Sequence, residues 1–92
     1  MHVEWDPAKA RSNLAKHGIS FWDVEPAFND KFAITILDEY SVFEERFLLI
    51  GTDAMSRLLT VSYTYRNNAV RIISARLSTK SERKTYEKGI RL

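Results

Sequence analysis

The chain contains no cysteine, and only three glycines, two prolines and two histidines among its 92 residues. Without cysteine there is neither a disulfide staple nor a thiolate nucleophile, which fits a reducing, cytoplasmic setting. With His2 and His17 as the only imidazoles, a zinc site would have to lean on carboxylates, so neither a metal nor a cofactor is expected. No stretch approaches the ~18 apolar residues of a membrane helix. Glu4 and Asp6 stand where a signal peptide would need an apolar core, so no membrane role is expected. Internal repeats, low-complexity tracts and Gly/Ser linkers are also absent.

What is present suffices for one small core: 45% hydrophobic residues, of which 11 are aromatic, in a single domain spanning 1–92. Charge is segregated along the chain. The first 56 residues carry five basic against ten acidic side chains, while the last 36 carry nine basic against two acidic. The halves are therefore −5 and +7, although the whole is only +2. Such a split points to a polyanion on one face and to a cationic partner or self-contact on the other, with a solvated C-terminal helix as the plainer alternative.

Val3-Glu4-Trp5 reads as a short strand or extended arm. Asp6-Pro7 starts a helix and Gly18 stops it near His17, with Ala10, Leu14 and His17 on one stripe. Ser20 and Asp23 open a second helix with Phe21, Val24 and Phe28 inward, which Pro26 should kink or shorten. From Phe32 the hydrophobic period becomes two. Strands are predicted from Phe32 to Leu37, from Glu44 to Ile50 with Gly51 at its end, from Arg57 to Arg66 and from Ala69 to Leu77. Asn67-Asn68 is a two-residue hairpin turn. Thr79 and Glu82 form a capping box for a last helix, along which Lys80, Lys84, Lys88 and Arg91 recur, with Arg83, Tyr86 and Ile90 on a neighbouring stripe. An uninterrupted hairpin pairs Tyr65 with Val70, Thr64 with Arg71, Tyr63 with Ile72 and Leu59 with Arg76. That register sets Ser74 and Arg76 on the apolar face with Leu59, Val61 and Tyr63. It sets Arg71, Ala75 and Leu77 on the other.

Several of these elements together resemble one family. Glu4-Trp5-Asp6-Pro7, Lys9, Asn13, Lys16-His17-Gly18 and Phe21 are similar to the opening of the BrnT toxins of bacterial type II toxin–antitoxin systems. So are Glu45-Arg46-Phe47, Ile50-Gly51, Leu58-Leu59, Tyr63-Thr64, Arg71-Ile72-Ile73-Ser74-Ala75-Arg76, Glu82-Arg83 and Tyr86. The resemblance covers nearly the whole chain. It implies an α+β, RelE-like fold: two N-terminal helices on a mainly antiparallel sheet of four to five strands, then a C-terminal helix. It also implies a ribonuclease that arrests translation, a BrnA-type antitoxin as partner, and contact with operator DNA only through the antitoxin complex. The ribosome is a further partner to consider. Three positions depart from the family pattern: Ser56 where glycine is expected, Pro26 inside the second helix, and Leu77 in place of a basic residue.

Metal-free RNA cleavage needs a base for the 2′-hydroxyl, cations for the crowded phosphorane and an acid for the leaving oxygen. Arginine does not exchange protons at neutral pH, so Arg71 and Arg76 are expected as electrostatic clamps. The hairpin offers Arg71 no acidic partner, which favours an external anion. Proton carriers would come from His17, Glu45, Tyr63, Tyr86 or a lysine. His17 can equally satisfy helix-end carbonyls, Glu45 and Arg46, which point to opposite faces, can make a surface ion pair with a neighbouring strand, and Tyr63 can be core. Lys16, Arg66, Arg83 and Tyr86 are candidates for RNA contact, and Trp5, Phe47 or Tyr86 for base stacking. Two other readings stay open: a non-catalytic RNA- or ribosome-binding module, and an inactivated toxin serving only as an operon co-repressor.

Overall fold

Asp6 starts the first helix in the computed structural model, which describes residues 1–89. Its carboxylate accepts from the Ala8 amide at 3.0 Å and Pro7 takes the first helical position, giving α1, Pro7–His17. Gly18, at φ +70, ends the helix in the left-handed conformation that only glycine adopts without strain.

The stripe of Ala10, Leu14 and His17 on α1 is buried only in part. Leu14 is 52% exposed, and the buried residue of the helix is Asn13. Asn13 is drawn inward by hydrogen bonds rather than by hydrophobicity: its amide donates to the Ile19 and Ala75 carbonyls, and its oxygen accepts from the Ala75 amide. The expected second helix is instead two 3₁₀ turns, Phe21–Asp23 and Glu25–Asn29. Pro26 lacks the N–H that an α-helical ladder would need there. Phe21 and Val24 are nonetheless fully buried and Phe28 packs against the same core.

Five strands form one mixed sheet: β1 (Val3–Trp5), β2 (Ile34–Asp38), β3 (Arg46–Thr52), β4 (Leu58–Arg66) and β5 (Ala69–Leu77). Their order is β1-β5-β4-β3-β2, antiparallel except for β1 against β5. The first predicted strand begins two residues late, because Asp30 folds the chain back through its carboxylate to the Phe32 amide. The next begins at Arg46 rather than Glu44 and continues through Gly51 to Thr52. The last helix, α2 (Lys80–Lys88), carries the expected capping box between Thr79 and Glu82. Ile90 and Arg91, expected to continue it, lie outside the described residues.

One face of the sheet, with Leu49, Leu59, Val61, Tyr63, Val70, Ile72 and Ala75, is buried under α1 and the 3₁₀ turns. Gly51 lies on that face where the second 3₁₀ turn crosses closest. A Cβ there would sit 2.8 Å from the Ala27 carbonyl oxygen, a backbone atom that cannot swing aside. The Asn67-Asn68 hairpin is as predicted, both residues having positive φ (52 and 64). The register beyond it is not. A bulge at Ser62/Tyr63 lets Tyr63 pair with Ile72 but Ser62 with Ser74, leaving Ile73 as the extra residue. Every later residue of β5 therefore changes face. Ala75 joins Val61 in the core, and Arg76 pairs with Thr60 instead of Leu59.

Ser56 occupies a left-handed position, φ +62, in the loop before β4, which is the physical reason glycine suits that site. Substituting Ser56→Gly should raise unfolding stability by about 0.5–1 kcal/mol, read by urea denaturation. Gly51→Ala should lower it by roughly 1–3 kcal/mol, since the added carbon forces the turn and β3 apart.

Candidate active site

The bulge gathers the polar side chains. Thr60, Ser62, Thr64, Arg71, Ser74 and Arg76 all share the sheet face opposite the core, because each pairs across the β4–β5 ladder with another of the set. Arg76, which an unbroken register puts among apolar residues, is thereby turned onto the same face as Arg71. Leu77, the third departure, takes the core side of the ladder beside Leu59 but remains 57% exposed.

Each arginine already has a carboxylate. Arg71 has no acidic neighbour in its hairpin, but β1 runs alongside β5 and sets Glu4 opposite it, giving an ion pair at 3.3 Å. The expectation of an unpaired Arg71 is thus corrected by a contact between residues far apart in sequence. Arg76 is held more firmly: its two terminal nitrogens reach the two oxygens of Glu82 at 2.7 and 2.9 Å. Glu82 also accepts from the Thr60 hydroxyl and from the Thr79 amide at its helix cap. The Arg76 guanidinium, then Thr79 and Thr60, draw the Glu82 carboxyl down to a pKa of about 2, and Arg76 is raised in return.

Beyond the Phe47–Tyr63 pair, Arg46 comes alongside Thr64 in the same cross-sheet row as Arg71 and Glu4. It pairs with Glu44 at 3.2 Å, with both groups partly exposed. Glu45 is exposed before β3, and its carbonyl accepts from the Thr64 hydroxyl at 2.6 Å. Tyr63 lies on the other face, 4% exposed between Phe28 and Phe47, and burial raises its pKa. A catalytic role for Tyr63 is therefore withdrawn: the phenol is core.

His17 and Lys16 come together at the other flank of β5. β1 covers β5 only as far as Ile72, and past that point the strand edge is open. Asn13 occupies part of it, meeting the amide and carbonyl of Ala75 as a neighbouring strand would. Beside Asn13 runs a groove of about 270 Å³ lined by Lys9, Ser12, Lys16, His17, Ile73 and Ser74. The groove thus borders the bulge, and Arg71 and Arg76 bracket its β5 segment in sequence.

The remaining candidates lie apart. Arg66 is exposed at the hairpin end. Arg83 lines a second groove of about 250 Å³ with Thr52, Arg57 and Tyr86. The Tyr86 hydroxyl donates to Asp30 at 2.7 Å, so Tyr86 serves as a tie between α2 and the body. Trp5 packs edge-on against Phe21 and Trp22, and Phe47 stacks on Tyr63. Neither Trp5 nor Phe47 is presented as a base platform; the exposed aromatics include Trp22 and Tyr65. Glu4, Glu82 and Asp30 were missed as polar anchors because their partners lie far off in sequence or across the bulge. The capping-box spacing of Glu82 was the one local signal.

A small mixed sheet, its core face under α1 and its polar face carrying paired arginines beside a lysine–histidine groove, defines an α+β domain suited to binding a phosphate backbone. A profile described as "Ribonuclease toxin, BrnT, of type II toxin-antitoxin system" matches residues 5–82, so the chain belongs to the BrnT family of ribonuclease toxins. The 1.1 Å crystal structure of the Brucella abortus ribonuclease toxin BrnT is similar, with a TM-score of 0.71 and 26% identity over 87% of this chain and 99% of that one. No curated protein matches the chain. An RNA substrate and an antitoxin partner follow from membership of the family. Among the described residues no helix is long and apolar enough to cross a membrane.

Two carboxylates tie α2 to the body, and both titrate abnormally. Burial alone would raise Asp30, but hydrogen bonds from the Thr52 hydroxyl, the Phe32 and Thr52 amides and Tyr86 outweigh it and bring the pKa from 3.8 to about 2. Glu82 falls from 4.5 to about 2. A carboxyl depressed in the folded state stabilises it fully above the unfolded pKa, and that contribution fades as pH falls toward the folded one. Stability should therefore drop between about pH 4.5 and pH 2. Asp30→Asn and Glu82→Gln should each lower stability at pH 7 by roughly 1–3 kcal/mol and flatten this acid limb, as followed by thermal denaturation against pH.

Proposed function

We propose that the chain is a RelE-like, metal-independent endoribonuclease that inhibits translation and is neutralised by a BrnA-type antitoxin in the cytoplasm. The observation that carries this reading is the bulge at Ile73, which turns Arg76 onto the face of Arg71 beside the groove holding His17 and Lys16. RNA backbone laid along β5 would meet cations on both sides of that groove.

The two arginines divide the work. A phosphate displaces Glu4 from Arg71 more easily than Glu82 from Arg76, since the first pair is a single 3.3 Å contact and the second is bidentate. Arg71 is thus the clamp that follows charge onto the phosphorane. Arg76, its charge largely offset by the bidentate Glu82, contributes less to the clamp than Arg71. His17, half-buried at the groove wall, is the proton carrier best placed for the 2′-hydroxyl, with Lys9 and Lys16 holding the neighbouring phosphates. Glu45 and Arg46 act at the far end of the row, on the strand of RNA leaving the site. Arg66, Arg83 and Tyr86 lie outside this path; the two arginines add at most general electrostatic attraction, and Tyr86 is taken up by Asp30.

Purified protein incubated with total RNA in EDTA should cleave it. Arg71→Ala should slow cleavage about 10²–10³-fold and His17→Ala about 10²-fold or more, with circular dichroism confirming the fold. RNA that is bound but left intact would instead establish the binding-module reading. Cleavage only when ribosomes are added would make the ribosome an obligatory partner.

A further inference from the structure

The acidic stretch from Ile34 to Glu45 forms its own surface, at the end of the sheet away from β5 and the groove. Among the described residues β2 is an outermost strand of the sheet and is paired on one side only, with β3. Sheet edges are usually blunted by lysine, proline or a bulge. β2, Ile-Thr-Ile-Leu-Asp, contains neither residue and pairs with β3 without a break in register. Its Ile36 and Leu37 are 44% and 48% exposed on opposite faces of the sheet. The loop that follows adds Tyr40, Val42 and Phe43, all more than four-fifths exposed. Asp38, Glu39, Glu44 and Glu45 punctuate the same stretch, and between Ile34 and Glu45 there is no basic residue.

We propose that β2 is the docking edge for the antitoxin, which adds an extended segment as a sixth strand. That segment carries apolar side chains for Ile36 and Leu37 and lysines or arginines for the loop carboxylates. Main-chain hydrogen bonds supply affinity in such strand addition, while alternate side chains and charge set the partner. A second copy of this chain fits less well. Twofold antiparallel pairing of two β2 strands would bring each acidic loop toward the stretch before β2, where Lys31 is the sole cation from Glu25 to Ile34. The proposal rests on the antitoxin reading above. It further implies that the toxin can be gripped at an edge separated from β5 by two strands.

The test uses the toxin with a BrnA-type antitoxin. Hydrogen exchange of the complex should show new protection at β2 amides. Ile36→Lys/Leu37→Lys should weaken binding at least tenfold by calorimetry, and Glu39→Lys should weaken it while reducing its salt dependence. Ribonuclease activity of the free variants should equal that of the parent, which also reports their folding. Unchanged affinity, with protection confined to β5 and α1, would overturn the proposal while leaving the antitoxin reading intact. A toxin dimer that protects β2 and is abolished by the lysines would assign the edge to self-association. Failure of the unmodified toxin to bind the antitoxin would sink the antitoxin reading, and this proposal with it.

Discussion

One side chain, Asn13, links the two layers of this protein where the sheet is incomplete. β1 is too short to cover β5, and the uncovered strand would otherwise leave the Ala75 amide and carbonyl without partners in a buried place. A buried polar group left unpaired costs roughly 1–3 kcal/mol, so the two of them would remove a sizeable part of a small domain's stability. Asn13 supplies both bonds and adds a third to Ile19, where the chain leaves α1 for the core. This fixes the helix against the bulged half of β5, and with it the lysines and His17 that line the groove. A helix docked by apolar contacts alone could slide by a ridge; two directional bonds to one residue of β5 prevent that.

The second helix obeys a different rule. α2 has no buried residue and is held mainly through polar contacts, Glu82 to Arg76 and Thr60, and Tyr86 to Asp30. Directional polar contacts of this kind locate an element accurately, yet each is partly wet and contributes only modestly to net stability. The same residue that orients Arg76 is thus also one of the fastenings of the helix. Charge placement on the sheet and the position of the C-terminal element are thereby coupled through a single carboxylate.

Local signals in the sequence located most boundaries. Asp6-Pro7, Gly18, Asn67-Asn68 and the Thr79–Glu82 box each act within a few residues, and each is found where its chemistry demands. Pro26 also acted locally, but whether it kinks a helix or replaces it by 3₁₀ turns depends on packing. The bulge was invisible for a plain reason: Ile73 carries no glycine-like mark, and one extra residue changes the face of everything after it without changing the hydrophobic pattern before it. The site suffered most from this. Arg71 and Arg76 could be named from the sequence, but their acidic partners come from β1 and α2, and no hairpin arithmetic reaches those. Tyr63 stands among the candidate proton carriers, although alternation along β4 already puts it on the apolar face. Asn13 is buried and Leu14 exposed because the hydrogen bonds of one amide set that helix face, which leaves no apolar periodicity to detect.

The parallel pairing of β1 with β5 has a consequence for how the chain comes into being. Val3, Glu4 and Trp5 meet Val70, Arg71 and Ile72, and Asn13 meets Ala75. The N-terminal tenth of the protein thus has no sheet to join until nearly all of the remainder has been synthesised, and contacts of such long span form late and slowly. During translation the emerging N-terminus waits unpaired, and the basic face takes shape only once the last strand has left the ribosome. A ribonuclease built this way is assembled at the end of its own synthesis, and a truncated copy lacking β5 has neither the arginines nor the edge that organises them.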